Sequence, residues 1–133
     1  MAYQLSFERQ AGYLHVRITG DNTFESILAY LREVHSLCVR EQSACVLIEE
    51  NLTGKRLSIT ELFSLVTRAT ENVSADVQYI AFVDASPARD PSRITFAETV
   101  AVNRGVNMRQ FHGVADARAW LQAKISATFP AVR

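Results

Sequence analysis

Charge of one sign is what this chain of 133 residues most obviously lacks, because fourteen Lys and Arg balance fourteen Asp and Glu. A balanced chain has no long-range field to gather nucleic acid or a strongly anionic membrane, so neither is expected as a partner. Chains near zero net charge also associate readily, which favours a homodimer. Cysteine is scarce. Cys38 and Cys45 are the only two, and without a CxxC spacing they suggest neither a zinc site nor a redox pair. Both read as small core residues, with no disulfide expected between them in a reducing compartment. No stretch approaches the roughly eighteen consecutive apolar residues of a membrane-spanning helix, and Met1-Ala2-Tyr3-Gln4-Leu5 carries no basic region ahead of an apolar run. The expected location is the cytoplasm, without membrane insertion.

Reaction motifs are missing too. Gly54-Lys55-Arg56 lacks the upstream glycine of a phosphate-cradling loop, and no G-x-S-x-G elbow occurs. His15, His35 and His112 fall on a strand, a helix and a loop, with no metal-ligand spacing and no acidic or thiol companion visible in the sequence. They read as structural or exposed residues. The pattern excludes the common nucleophilic and zinc-dependent chemistries, and the expectation is a chain that is not an enzyme and needs no cofactor or metal.

What is present is a regular alternation of strand and helix signals. Almost half of the residues are apolar (48%), enough for one core in a chain that buries roughly two-thirds of its unfolded surface. Residues 3–9 alternate Tyr3, Leu5 and Phe7 with polar neighbours, Gln10-Ala11-Gly12 is a turn, and residues 13–19 alternate again through Leu14, Val16 and Ile18. That spacing predicts an antiparallel hairpin. After Gly20-Asp21-Asn22-Thr23, apolar residues recur at three- and four-residue steps from Phe24 through Ile27, Leu31 and Val34 to Cys38, which predicts an amphipathic helix.

Residues 44–48 form a nearly continuous apolar run, the mark of a strand covered on both faces. A second helix is predicted from about Ser58 with Leu62, Phe63, Leu65, Val66 and Ala69 on its buried side. Residues 77–83 read as another buried strand ending at Asp84. Pro87 and Pro91 mark a loop, residues 94–103 a third helix stopped by Gly105, residues 106–111 a short last strand, and residues 116–129 a closing helix that docks through Ala119, Trp120 and Ile125 before Pro130. The order β-β-α-β-α-β-α-β-α implies an α/β fold: a mixed sheet, mostly parallel with an N-terminal antiparallel hairpin, flanked by helices. No repeat or linker interrupts it, so residues 1–133 are expected to form a single domain.

Two groups of residues stand out chemically. Ser58-Ile59-Thr60-Glu61 fits a capping box, in which the serine hydroxyl and the glutamate carboxylate satisfy each other's backbone N–H groups. The same position makes Ser58, or Thr60 in the first turn, a candidate phosphoacceptor, since new negative charge would meet the positive end of the helix dipole close to Lys55 and Arg56. The second group gathers where α/β sheets bind ligands, at the carboxyl ends of the strands. Glu49, Asn51, Lys55, Arg56, Asp84, Ser86 and Arg93 are expected along that rim, joined by Arg89 and Arg104. Glu49 and Glu50 face opposite ways on a strand, so a catalytic carboxylate pair would need Asp84 to converge with one of them. Asn103-Arg104-Gly105 reads as a helix C-cap, and Ser86 as a second candidate phosphoacceptor.

The element order and several local patterns resemble the STAS superfamily, the fold of anti-sigma factor antagonists, and within it the SpoIIAA-like branch. The marks are Ile18-Thr19-Gly20 ending the hairpin, Val46-Leu47-Ile48-Glu49, Ile80-Ala81-Phe82-Val83-Asp84, and the closing Ala117…Ala119-Trp120-Leu121. In that family a serine or threonine at the start of the helix after the third strand is phosphorylated by a partner kinase, and Ser58 stands at that place. The resemblance implies a non-enzymatic signalling domain whose partner is a kinase or an anti-sigma-like regulator. Leu57 here replaces the Asp that typically precedes the acceptor, and Ile59-Thr60-Glu61 follow in place of an early Gly. The alternative drawn from the rim residues is a domain that binds an anionic metabolite, nucleotide or lipid in the crevice.

Overall fold

The computed structural model describes residues 3–71, 73, 75–87 and 90–129; Arg89 and Pro130 lie outside them. The elements are β1 (Tyr3–Gln10), β2 (Tyr13–Asp21), α1 (Phe24–Arg40), β3 (Cys45–Thr53), α2 (Ile59–Ala69), β4 (Tyr79–Asp84), α3 (Pro91–Asn103), β5 (Met108–Phe111) and α4 (Val114–Thr128). The strands form one five-stranded sheet in the order β1-β2-β3-β4-β5, with β1 antiparallel to β2 and the other neighbours parallel. This is the mixed α/β architecture that the periodicities imply. Each parallel connection carries one helix, as a crossover between neighbouring parallel strands requires.

Strand alternation divides the core. Leu14, Val16 and Ile18 of β2, Val46, Ile48 and Leu52 of β3, and Phe82 of β4 face α1, α2 and α3. Tyr13, Cys45, Leu47, Ala81 and Val83 point the other way and meet Ala117 and Leu121 of α4. Cys38 and Cys45 are both buried free thiols, and burial raises them to about 12 and about 11. Neither is a nucleophile near neutral pH.

Several boundaries and faces differ from the sequence expectations. The third strand does not stop at Ile48: β2 extends to Asp21, and Thr19, Gly20 and Asp21 hold Asn51, Leu52 and Thr53 in register beside them. A strand lengthens when its neighbour supplies hydrogen-bond partners, which no local pattern reveals. α3 begins at Pro91, with Asp90 capping it by accepting from the Ser92 N–H at 3.1 Å, because proline suits the first helical turn. Phe63, expected inside, is 52% exposed, since α2 turns Leu65 and Val66 inward instead. In α4 the docking pair is Ala117 and Leu121, one turn apart, while Ala119 is exposed. Trp120 packs at the rim of that face, edge-on to Tyr79 and tilted against Phe111. Gly105 does adopt the left-handed conformation after α3 (φ 86°), directly after the C-cap residue Arg104.

Candidate functional site

The start of α2 is built as its four-residue signature implies. The Ser58 hydroxyl accepts from the Glu61 N–H at 3.1 Å, and the Glu61 carboxylate accepts from the Ser58 N–H at 2.9 Å. These bonds, Ser58's backbone N–H first among them, hold the Glu61 carboxyl below its ordinary pKa, with a smaller contribution from the Lys55 charge. Ser58 and Thr60 are both exposed. One turn apart on the same helix, Ile59 and Phe63 are 48% and 52% exposed. Two large apolar side chains half in water beside a reachable hydroxyl leave an apolar surface open to solvent.

At the carboxyl ends of the strands, the rim residues separate by face. Glu49 lies on the α4 side, where its carboxylate is 2.9 Å from His15 Nε2 and 3.6 Å from Arg17 Nε. It is therefore not part of the group gathered on the three-helix side. Glu50 and Asp84 are register partners on β3 and β4, and both are buried. Tyr30 of α1 donates to Glu50, Arg56 Nη1 stands 3.5 Å from Asp84 Oδ2, and the Ser86 N–H donates to Asp84 Oδ1 at 3.0 Å. Desolvation, aided by Asp84, raises the Glu50 carboxyl to about 7 against the opposing pull of Tyr30 and Arg56. The Tyr30 hydroxyl is raised well above its ordinary value, chiefly by the same burial. Asp84 thus stands beside Glu50: Tyr30 donates to Glu50 and the Ser86 N–H to Asp84 Oδ1, while Asp84 Oδ2 has no hydrogen-bond partner and only the Arg56 guanidinium near it. Such an arrangement fixes a guanidinium in place.

The remaining expected residues scatter. Asn51 and Lys55 are exposed, and Ser86 is buried where it stands. Arg104 follows α3 and so sits at the amino ends of the strands, where its Nε donates to Thr70 Oγ1 at 3.0 Å. It does not join Arg93. Two histidines have acidic companions that spacing did not reveal: His15 with Glu49, and His35 with Asp76 at 2.8 Å. Among the described residues no group of His, Cys, Asp and Glu is arranged to hold a metal ion, and no helix is long and apolar enough to cross a membrane.

Beneath α2 lies a cavity of about 140 Å³, neither sealed nor a flat depression. Its walls are mostly apolar, with Val34 from α1, Leu65 and Val66 from α2, Ile94 and Ala97 from α3, and Ile48 from the sheet among them. Glu50, Arg56 and Arg93 line its carboxyl-end mouth, and His35 and Thr70 its other end. One terminal nitrogen of Arg56, one of Arg93 and the Oδ2 oxygen of Asp84 are buried without a hydrogen-bond partner near the carboxyl-end mouth. A second hollow of about 160 Å³ lies beside Asp84, Pro91 and Gln110.

Sequence reasoning missed Tyr30 and the cavity. A signal for Tyr30 existed: it lies within the apolar stripe of α1 between Ile27 and Val34, and a buried tyrosine hydroxyl needs a partner.

Comparison with known proteins places this geometry. No family model and no curated protein matches the chain. Its structure is similar to the crystal structure of an anti-sigma factor antagonist from Mycobacterium paratuberculosis, with a TM-score of 0.57 at 12% sequence identity, over 90% of this chain and 94% of that one. At such an identity the likeness is one of architecture: this chain has the SpoIIAA-like fold of an anti-sigma factor antagonist, as the order of its elements implied.

Proposed function

We propose that the chain is a single-domain, non-enzymatic regulatory module that binds another protein through the start of α2, and that phosphorylation of Ser58 switches that binding. The observation that carries the reading is the exposed pair Ile59 and Phe63 flanking the exposed hydroxyl of Ser58 on one helix start. Apolar surface of this kind gains free energy when a partner covers it. Likeness of fold to an anti-sigma factor antagonist adds support for a protein partner.

The capping box gives the switch a physical form. A phosphate on Ser58 would lie beside the Glu61 carboxylate, which accepts from the Ser58 N–H, and would replace the hydroxyl that accepts from the Glu61 N–H. Repulsion would expel Glu61, while the helix N-terminus and Lys55 would hold the new charge. The modification therefore changes charge and side-chain arrangement next to Ile59 and Phe63 without unfolding the domain. Thr60, in the same first turn, is the second acceptor.

The test uses protein isolated from its own cells. Mass spectrometry is expected to find phosphate on Ser58 or Thr60, and affinity capture is expected to recover a partner that Phe63→Ser loses and Ser58→Glu binds differently. A partner retained equally by all three forms, or the two hydroxyls unmodified under every growth condition, counts against this reading.

A further inference from the structure

The two outer strands of the sheet are finished differently. β5 is four residues long, α3 and α4 both pack on it, and the Gln110 N–H is taken by the Glu98 carboxylate at 2.8 Å. β1 has none of this protection. It runs for eight residues, Tyr3–Gln10, without proline or glycine, and among the described residues β2 and α1 are its main neighbours. Its register with β2 continues unbroken from Gln10 opposite Tyr13 to Tyr3 opposite Gly20, with no bulge to end it. Long, regular edges of this kind pair with another strand unless something blocks them.

The hairpin turn decides which backbone groups are free. Gln10 and Tyr13 flank a two-residue loop, so they exchange both backbone hydrogen bonds, and the alternation of an antiparallel ladder directs the N–H and C=O of Gln4, Ser6, Glu8 and Gln10 to β2. Those of Tyr3, Leu5, Phe7 and Arg9 face outward. The same odd-numbered side chains lie on the three-helix side, with Tyr3 and Leu5 packed on the core and Phe7 37% exposed. The even-numbered ones make a polar opposite face, where Glu8 accepts from Arg17 at 2.9 Å. Laid antiparallel on its own copy about Ser6, the strand sets Leu5 opposite the partner's Phe7, Tyr3 opposite the partner's Arg9 and Gln4 opposite the partner's Glu8. No like charges meet. Centring the pair on Glu8 or Arg9 would oppose like charges, and centring it on Phe7 would set Leu5 against a guanidinium, so both registers are disfavoured.

We infer that β1 is the interface of a symmetric homodimer, in which the two edge strands pair antiparallel about Ser6 and join two five-stranded sheets into one. A second copy is the occupant that the strand itself selects: its free bonding groups, its apolar residues and its charges complement their own image under a two-fold axis, as an isologous interface requires. With zero net charge the two copies do not repel each other at long range. The interface does not involve the start of α2, so the dimer presents two copies of the surface proposed at Ser58. Either can exist without the other.

Sedimentation of the full-length chain over a wide range of concentration is expected to show a monomer passing to a dimer, with amide hydrogen exchange as a second readout. In the dimer the Leu5 and Phe7 amides are expected to exchange roughly tenfold or more slowly than in the monomer, while those of Ser6 and Glu8, bonded within the hairpin, are slow at every concentration. Ser6→Glu and Ser6→Lys are each expected to be monomeric, because like charges meet at the axis, and an equal mixture of the two is expected to recover a dimer. Ser6→Cys is expected to form a disulfide-linked dimer under oxidised glutathione, since the Cα atoms of a directly opposed, non-hydrogen-bonded pair stand about 4.5 Å apart. Glu8→Cys, about 13 Å from its own image along the strand, is not. Cys38 and Cys45 are buried and leave that reaction to the new thiol. The inference is overturned by a monomer at every concentration or by a dimer that Ser6→Glu and Ser6→Lys leave intact. Exchange at Leu5 and Phe7 that does not change with association, or Glu8→Cys linking as readily as Ser6→Cys, overturns it equally.

Discussion

The two faces of the sheet are closed in different ways. On one, α4 lies directly on β3, β4 and β5, with Ala117 and Leu121 fully excluded from solvent against Leu47, Ala81 and Val83. Small residues on both sides, Ala81 and Ala117, let the helix approach closely, and the packing is continuous. On the other face, α2 has α1 and α3 as its main neighbours rather than the sheet, and the space below it is the cavity. The same strands thus support a solid layer and a hollow one. The difference teaches that a helix can complete a fold by bridging its neighbours, leaving the strands beneath it free to line a site.

That contrast can be broken most sharply by truncation. Leu121→Ala is expected to cost about 3 to 4 kcal/mol in urea unfolding, while Leu62→Ala in the partly buried roof costs about 1 to 2 kcal/mol; equal costs would mean that the faces are packed alike. Glu50 supplies the next effect. Its carboxyl titrates at about 7 in the folded chain against an ordinary 4.5, so the folded state binds more protons between those values. Its contribution to stability is therefore lost as pH rises from about 4.5 to about 7 and is level above that, by up to about 3 kcal/mol. Wild type measured against Glu50→Gln should lose its relative stability across that window; a difference that rises with pH would reverse the burial argument.

Filling each face gives a smaller effect with opposite signs. Ala117→Leu should destabilise by about 1 to 3 kcal/mol through overpacking, whereas Ala97→Leu, facing the cavity, should stabilise by about 0.5 to 1 kcal/mol. Thermal unfolding of both variants decides it, and a loss in both would deny the hollow. Smallest is Ser58→Ala, which removes one half of the capping box and should cost about 1 kcal/mol. Ser58→Asp, which caps as serine does, should recover most of it.

Much of the architecture is legible in the order of residues. The hairpin, the amphipathic α1 and the capping box at Ser58 follow from spacing alone, because each depends on residues within a few positions of one another. Features that depend on distant neighbours are not legible in this way. β3 runs to Thr53 only because β2 lies beside it. Phe63 faces solvent because α2 leans on α1 and α3 rather than on the sheet. Glu49 finds His15 across a strand pair, and Tyr30 reaches Glu50 from a helix twenty residues earlier. The seven rim residues are expected from the sequence to share one end of the sheet, but alternation of side chains sends Glu49 to one face and Asp84 to the other, where Arg56 from the loop before α2 and Arg93 of α3 also lie.

The amino-acid sequence by itself determined the order of strands and helices, the absence of reaction motifs and the hydroxyl at the start of α2, since periodicity and capping are properties of short stretches of chain. The tertiary structure alone decided which carboxylates meet which arginines, and that the space under α2 stays open. Those outcomes depend on how far a helix stands from a sheet, and that distance is set by side chains drawn from every part of the chain at once.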